Sequence, residues 1–332
     1  MLKPVTLQST VSKAVAVEPV TDVAGALALA RRWGAELGTP GGGDTRALWE
    51  HLATVAADDL GAARAIEPHL DAIAILEQAG AARPAGTWGV FAAEGGPPLR
   101  ALREGDRWIL DGTKPWCSLA DRLDSALVTA LRDDGERQLF AVDLRQTGVT
   151  AHNEEWVARG LTEIPSGSVD FERVEATPVG DPGWYLARPG FAWGGIGVAA
   201  CWYGGAVGIA RDLFAAQRRR TDEIAQLHLG AVDAALVASR LALADAAERI
   251  DGGTATGGDG KLLAKRVRAV VAAACEATLI HSAHALGPAP QARDAAHAKR
   301  VADLELYILQ HHAEHDLASL GRGVLEGDDA PW

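Results

Sequence analysis

Two histidines near the end of the chain have the spacing of metal ligands on a helix. His311 and His315 are four residues apart in a stretch whose hydrophobic period predicts a helix, so both rings would lie on one face. The residue after the first is His312, which breaks the HExxH order, and no further carboxylate-plus-histidine motif completes a ligand set. We therefore predict a polar helix face, suited to a contact between subunits, and no metal site.

A second group joins an aromatic ring, a thiol and a hydroxyl in consecutive residues, Trp116, Cys117 and Ser118. The pair Asp111 and Gly112, a few residues earlier, predicts a tight hairpin turn, because glycine tolerates positive φ. Pattern alone is typical of an antiparallel barrel or sandwich. The strands predicted around this turn cover residues 108–110, 113–118 and 123–130.

The order of this segment resembles the middle domain of acyl-CoA dehydrogenases, where "NGxKxWITN" lies along the flavin. The corresponding residues here run DGTKPWCS, from Asp111 to Ser118. The resemblance implies FAD against Trp116, Cys117 and Ser118, with the serine hydroxyl bonded to a polar edge of the flavin. A tryptophan buried in a barrel core is the alternative interpretation of Trp116.

Two glycines also correspond to a flavin and substrate contact of that family. The family's first barrel strand carries "TEPxAGSD", and residues 90–98 here read VFAAEGGPP. Gly95 and Gly96 would allow a ligand close to the backbone, although the threonine and the Ser-Asp pair are missing. A simple glycine-rich loop is the alternative.

One arginine corresponds to a cofactor contact across subunits. Residues 204–210, GGAVGIA, resemble the family's "GxxxGxA" helix, which leads to "RxxFG". The family arginine contacts the FAD diphosphate of the neighbouring subunit, and it falls on Arg219. Because Asp222 and Glu223 replace the aromatic residue and the glycine, a solvated basic turn at residues 218–220 is an equal alternative.

The catalytic base of the family has no clear counterpart. In most members a glutamate follows an "RDA" segment; here that segment is residues 293–295, and the glutamate position is Ala302. Some relatives place the base on the first bundle helix, where this chain has Val198. Asp303 and Glu305 lie close by and would serve if the register slips. Otherwise they are solvated charges on a helix.

The hydrophobic period divides the chain into three parts. Residues 1–82 follow helical spacing, with a kink or a new first turn expected at Pro68. Residues 83–180 follow strand spacing and predict a small β-barrel with no parallel pairing. Residues 181–332 predict a four-helix bundle whose last helix spans 294–321. The fold class is α+β multidomain: helical domain, barrel and bundle, as in acyl-CoA dehydrogenases.

The composition of the chain indicates which partners and which cellular location to expect. A formal net charge of −12 without a basic stripe argues against nucleic-acid binding. The three cysteines are far apart, which favours a reducing, cytoplasmic setting, and the first residues lack the apolar core of a signal peptide. Residues 191–210 are uncharged and long enough to span a bilayer, but their glycines predict a buried core helix and no membrane span.

The resemblance predicts a flavin-dependent oxidoreductase that oxidises a CoA- or carrier-bound acyl group. It implies FAD, an acyl thioester as the small-molecule substrate, an electron-transfer flavoprotein as partner, and a homodimer or homotetramer. The missing glutamate keeps two alternatives open. One is a two-component flavin monooxygenase of the same fold, which binds reduced flavin and oxygen. The other is a non-catalytic homologue that binds a partner or an acyl chain.

Overall fold

The computed structural model of the protein describes residues 1–7, 16–219, 222–327 and 329–332. Helices come first, strands follow, and helices complete the chain. The first helices are α1 (Val23–Glu36), α2 (Thr45–Asp58) and α3 (Leu60–Gln78). The strands are β1 (Trp88–Phe91), β2 (Arg100–Glu104), β3 (Arg107–Lys114), β4 (Ser125–Arg132), β5 (Arg137–Asp143), β6 (Val149–Ala151) and β7 (Val169–Val179). The later helices are α4 (Trp184–Ala187), α5 (Pro189–Arg219), α6 (Glu223–Asp251), α7 (Gly257–Leu286), α8 (Pro288–Arg293), α9 (Ala295–Tyr307) and α10 (Ala313–Leu325).

The strands form a small closed barrel. The ring runs β4–β2–β3–β7–β5 and returns to β4, with β1 paired to β4 and β6 paired to β7. The pairings of β1 and β2 with β4 are parallel, contrary to the expectation that no strands pair in parallel. Each of these two strands is separated from β4 by other elements, so no hairpin turn constrains their direction.

The predicted hairpin turn at Asp111 and Gly112 is wrong. Strand β3 runs through both residues, and its register against β7 shifts between Leu110 and Gly112, at a bulge where Gly112 has φ +122°. The hairpin turn lies instead between β2 and β3, where Gly105 has φ +63°. A glycine at positive φ serves a bulge as well as a turn, so the sequence signal was the same for both.

The helical parts differ from the prediction at two places. Helix α3 continues through Pro68 as a single element. The predicted helix over 294–321 is two helices, α9 and α10, joined by a short 3-10 turn, Ile308–Gln310. His311 lies in this joint and His315 lies on α10, so they do not share the face of one continuous helix.

Helix α5 is the centre of the helical packing, and glycine makes its close contact with α2. A methyl group built on Gly204 would collide with the carbonyl oxygen of Ala53 and would lie 2.7 Å from its Cα. A methyl group on Gly208 would meet the carbonyl oxygen of Ala57 at 2.6 Å. These neighbours are backbone atoms, so the two helices would have to separate to admit a side chain.

We expect Gly204→Ala to lower the free energy of unfolding by about 1–3 kcal/mol, the usual cost of overpacking a core. Gly321→Ala is the matched control, because nothing lies within 4 Å of its added methyl group in the interior of α10. The control should raise the free energy by roughly 0.5–1 kcal/mol through helix propensity. Urea unfolding of both variants measures the difference, and equal effects would contradict the α2–α5 packing.

Three helices, α5, α6 and α7, are long and apolar enough to cross a membrane by length and composition. Their burial differs: 67% of the most apolar 18-residue stretch of α5 is buried in the fold, against 17% for α6 and 33% for α7. Helix α5 is thus a core element, whereas α6 and α7 present apolar side chains outward.

Candidate functional site

The segment after β3 holds its aromatic side chain in the open. Trp116 has φ +61° and a side chain that is 60% exposed. Leu119, three residues on, also has a positive φ, of 58°. Non-glycine residues rarely adopt this conformation, and where they do, it often marks a functional site. The exposed indole fits a flavin ring better than it fits the barrel-core alternative.

The hydroxyl of Ser118 sits where the barrel meets α3. Arg64 Nη2 donates to Ser118 Oγ at 2.8 Å, and the hydroxyl of Ser166 lies 2.7 Å away. Ser118 thus has a cationic donor beside it that the sequence analysis missed. Cys117 is buried as a whole: its Sγ donates to the carbonyl of Lys114 at 3.3 Å, and its backbone N–H donates to the carbonyl of Gly167 at 2.8 Å, so no contact here supports the predicted role of Cys117 at a flavin.

The two glycines lie beside this segment. A methyl group on Gly95 would touch Pro115 Cγ at 3.6 Å, and Gly96 has φ +68°. The preceding Glu94 fixes the loop, because the buried Lys114 donates to its carboxylate at 3.1 Å. The structure therefore brings the glycine loop and the Trp116 segment together, as a common ligand surface requires.

The arginine predicted to reach a diphosphate lies elsewhere. Arg219 is the last residue of α5 and is exposed, as is Arg218. The remaining member of the basic cluster, Arg220, lies outside the described residues. No contact of Arg219 with a described residue places it at a cofactor of its own chain. The prediction was that Arg219 reaches a cofactor of a partner subunit.

The carboxylates proposed as a base do not line a common cleft. Asp303 is buried, accepts a hydrogen bond from the Leu161 amide at 2.6 Å and pairs with Lys299 at 2.5 Å. Glu305 is exposed on another side of α9. Asp303 therefore fastens α9 to the barrel, and the positions of these two residues do not support the predicted catalytic role.

Three carboxylates around Lys299 have the spacing of metal ligands. Asp59, Glu163 and Asp303 are the single such group in the part of the chain that the structure describes. The Lys299 ammonium lies 3.1, 2.7 and 2.5 Å from them, in that order. The lysine supplies the positive charge at the position where a metal ion would sit, so we assign the cluster to structure.

A cleft of about 610 Å³ opens between α3, α5, α7 and the joint of α9 and α10. The inner part of the cleft holds both acidic and basic side chains, and part of its wall is apolar. The residues that line it include Glu67, Asp71, Tyr185, Leu186, Arg188, Phe191, Val198, Lys261, Arg268 and His311. The position where some acyl-CoA dehydrogenases have their base therefore lies at this cleft, and it holds the apolar Val198. The other position, Ala302, packs its carbonyl oxygen against Gly160.

Two carboxylates of α3, Glu67 and Asp71, lie at the floor of the cleft. Burial raises the pKa of both, and the charge of Asp71 raises the pKa of Glu67 further, to about 8. Arg188 opposes this for Asp71, since its Nη2 lies 3.6 Å from the Asp71 carboxylate. Sequence reasoning missed both residues, although one signal was present: α3 is apolar around nearly its whole circumference, so charges within it must be buried.

The cleft and the Trp116 segment are neighbours through α3. Arg64, which bonds Ser118, precedes Glu67 by one helical turn, and its guanidinium also lies 5.6 Å from the ring centre of Tyr307. On the far wall, Arg268 donates to the carbonyls of Gly195 and Gln310 at 2.8 and 2.9 Å. The Trp116 segment and the cleft are therefore connected through α3, which carries both Arg64 and Glu67.

His311 is the one member of the predicted histidine pair at the cleft. Its ring packs edge-on to Trp202, and its Nε2 lies 3.9 Å from Asp316. Burial lowers its pKa. His315 is exposed on α10, outside the residues that line the cleft.

No protein-family model matches the sequence. A stretch of 76 residues, 21% of this chain, is 36% identical to dibenzothiophene monooxygenase from Rhodococcus erythropolis. The match spans 18% of the length of that curated relative.

Solved structures match almost the whole chain. FMN-bound TdsC from Paenibacillus sp. A11-2, a dibenzothiophene monooxygenase, superposes with a TM-score of 0.80 over 93% of this chain and 92% of its own, at 17% identity. Glutaryl-CoA dehydrogenase from Mycobacterium smegmatis in complex with FADH2 gives 0.76 over 92% and 89%, at 17% identity. KijD3 in complex with FMN and a dTDP-linked amino-keto sugar gives 0.77 over 93% and 88%, at 17% identity.

These superpositions cover helical part, barrel and bundle together. The resemblance predicted from residues 111–118 is therefore confirmed for the fold: the chain has the fold of acyl-CoA dehydrogenase-like flavoproteins.

Proposed function

We propose that the protein is a flavin-dependent monooxygenase, which uses reduced flavin and O2 to oxygenate a small molecule bound in the cleft. From the sequence, the first expectation was α,β-dehydrogenation of an acyl thioester, and a two-component flavin monooxygenase was an alternative. Two of the proteins with the same fold or a similar stretch are named dibenzothiophene monooxygenase, which supports the choice.

The observation that carries the proposal is the chemistry of the cleft. Acyl dehydrogenation needs a carboxylate that removes the α-proton, and the two family positions for it hold Val198 and Ala302. The floor of the cleft does hold the carboxylates Glu67 and Asp71, but neither is at a family position for the base. A monooxygenase does not require a base at either family position.

The residues beside the cleft fit a flavin. Trp116 offers an exposed aromatic face and Gly95 a backbone without a side chain in the way, whereas Ser118 is buried and its hydroxyl is already bonded to Arg64 and Ser166. Bound there, reduced flavin would supply two electrons to O2, so that one oxygen atom enters the substrate and the other leaves as water. Arg64, between Ser118 and the cleft floor, would hold positive charge next to both ligands.

Mass spectrometry after reaction under 18O2 tests the proposal. The purified protein is supplied with FMN or FAD, kept reduced by a separate flavin reductase, and offered indole, dibenzothiophene and butyryl-CoA. We expect 18O in a product of an aromatic compound and no enoyl-CoA. Enoyl-CoA formation without 18O incorporation would overturn the proposal in favour of dehydrogenation.

Arg219→Glu should lower the affinity of the protein for FAD without changing its affinity for FMN. If Arg219 contacts the diphosphate of FAD in a partner subunit, reversing its charge should weaken FAD binding by about tenfold or more, the value of a charged hydrogen bond. FMN lacks the diphosphate and should bind the variant as it binds the wild type. Arg32→Glu, at an exposed arginine of α1, is the control. Unchanged FAD affinity would mean that Arg219 is a solvated residue.

We also propose that the protein is a homo-oligomer, at least a dimer, assembled through α6 and α7. Exposed apolar side chains lie along both helices, among them Leu227 and Leu241 on α6 and Ile280 on α7. Such a patch on a folded chain typically marks an interface. Leu241→Arg should shift the protein toward the monomer in light scattering at micromolar concentration, whereas Leu325→Arg, on the exposed end of α10, should not. A monomeric wild type would contradict the assembly.

A further inference from the structure

Glu67 is a buried carboxyl group without a partner. Its side chain lines the cleft floor and the residue is 7% exposed; no residue that the structure describes gives its carboxylate a hydrogen bond, and its oxygens are not among the fully enclosed polar atoms that lack a partner. The neighbouring carboxylate Asp71, by contrast, has Arg188 beside it. Burial without a hydrogen-bond donor disfavours the charged carboxylate, so Glu67 keeps its proton to a higher pH than an exposed glutamate does.

Other polar atoms around the floor lack partners too. The hydroxyl of Tyr307, the indole Nε1 of Trp202 and the Nε of Arg188 are buried and make no hydrogen bond among the described residues. Tyr307 and Trp202 pack edge to face with ring centres 6.2 Å apart, and Arg268 lies 4.6 Å above Trp202. Unsatisfied buried groups are rare in native proteins. Of these three residues Arg188 lines the cleft, whereas Tyr307 and Trp202 are fully buried and do not line it.

The charges that act on Glu67 come from every side of the floor. Its own helix contributes Arg64 and Asp71, and α7 contributes Arg268. The ionisable groups on the other packed elements are Tyr185 from α4, Arg188 before α5, Cys201 from α5 and Tyr307 from α9. Burial raises the pKa of both the tyrosines and the cysteine, so they stay neutral near pH 7. The pKa of about 8 places the titration of Glu67 close to neutral pH.

We propose that Glu67 accepts the proton of a weakly acidic hydroxyl group on an aromatic substrate, a phenol, bound in the cleft. The proposal rests on the monooxygenase function and names its substrate class. In the step, the O–H bond of the substrate breaks, the proton moves to the Glu67 carboxylate, and the electron pair stays on the substrate oxygen. No oxidant takes part in it, and the ring is then richer in electrons for attack by an activated oxygen atom.

The surroundings of Glu67 match such a ligand. Tyr185, Phe191 and Val198 offer aromatic and apolar surface to a ring. Arg64 and Arg268, whose charges reach Glu67, would stabilise the negative oxygen that remains after proton transfer. A cationic ligand would meet three arginines around the same floor, so a neutral weak acid is the better occupant.

Calorimetric titration with phenol and its methyl ether, anisole, tests the proposal without any flavin. Anisole has the same ring but no acidic proton. We expect wild type at pH 8.5 to prefer phenol by roughly tenfold or more, the value of a hydrogen bond to a charged acceptor. The preference should shrink toward pH 6.5 as Glu67 becomes protonated.

Three variants isolate the carboxylate. Glu67→Leu should lose the preference for phenol, and Glu67→Gln should keep a smaller preference that no longer varies with pH. Glu77→Gln, at an exposed residue of the same helix, should behave as wild type. Circular dichroism and thermal melts check that each variant is folded.

Two results would overturn the proposal: equal affinity of wild type for phenol and anisole, or no binding of phenol at all. The function above can fail separately. If no 18O enters any product while the Glu67-dependent preference persists, the monooxygenase function is wrong and the assignment of Glu67 stands. If 18O enters product and Glu67→Gln has the pH–rate profile of wild type, only the assignment of Glu67 is wrong.

Discussion

Replacing Glu67 by glutamine should stabilise the protein increasingly as the pH rises toward 8. The pKa of Glu67 is raised from 4.5 to about 8, so between these values the folded state holds a proton that the unfolded state has lost. The wild type therefore loses free energy of unfolding as pH rises through that window, by up to about 1.4 kcal/mol per pH unit. Glutamine cannot ionise, so Glu67→Gln should escape this loss. The difference between the two proteins should level off above pH 8.

Urea unfolding at several pH values measures this difference. The window from pH 6.5 to 8 is the cleanest for the wild type, because burial lowers the pKa of His69 to about 4, which makes stability rise with pH below 6.5. Comparing variant with wild type also cancels such contributions. Glu77→Gln should differ from wild type by a constant amount. A pH-independent difference for Glu67→Gln would show that the carboxyl group is solvated and ionised like an ordinary glutamate.

Dehydrogenation of ordinary fatty acyl-CoA should be weak or absent. General-base catalysis typically contributes about 100- to 10,000-fold, and both family positions for the base hold residues that cannot take a proton, Val198 and Ala302. An acyl-CoA series from butyryl to palmitoyl, with flavin supplied and an artificial electron acceptor, should therefore give turnover well below about 1 per second.

Turnover at about 1 per second or more would contradict this expectation. The base could then be located by substitution, because Asp303→Asn, Glu305→Gln and Glu67→Gln each remove one carboxylate. Loss of turnover in the first two would restore the original prediction for α9, although Asp303→Asn also removes one of the three carboxylate partners of Lys299. Loss in Glu67→Gln alone would assign the reaction to the cleft.

The fold was predictable because its signals are local and ordered along the chain. The segment from Asp111 to Ser118, the change of hydrophobic period and the glycines of α5 each depend on neighbouring residues. The direction and pairing of the strands were harder to predict from the sequence. The glycine at 112 supports either a turn or a bulge, and only its pairing with β7 decides between them.

The candidate site was predictable only in part, because its residues meet through tertiary contacts. Trp116 and Ser118 were predicted from a motif, but the arginine that bonds Ser118 comes from α3, 54 positions away. Glu67 belongs to no motif, and its burial depends on α3 being packed on several sides. The break between α9 and α10 likewise moved His311 to the cleft, where a continuous helix would have kept it beside His315.

Anaerobic titration of the purified protein with reduced FMN and reduced FAD tests the central claim most directly. The account predicts saturable binding of at least one reduced flavin, followed by changes in flavin absorbance. The oxidised forms should bind more weakly, and Trp116→Ala should weaken the binding, because it removes the exposed aromatic face. If neither flavin binds in either redox state, the protein is no flavoenzyme, and the account is contradicted.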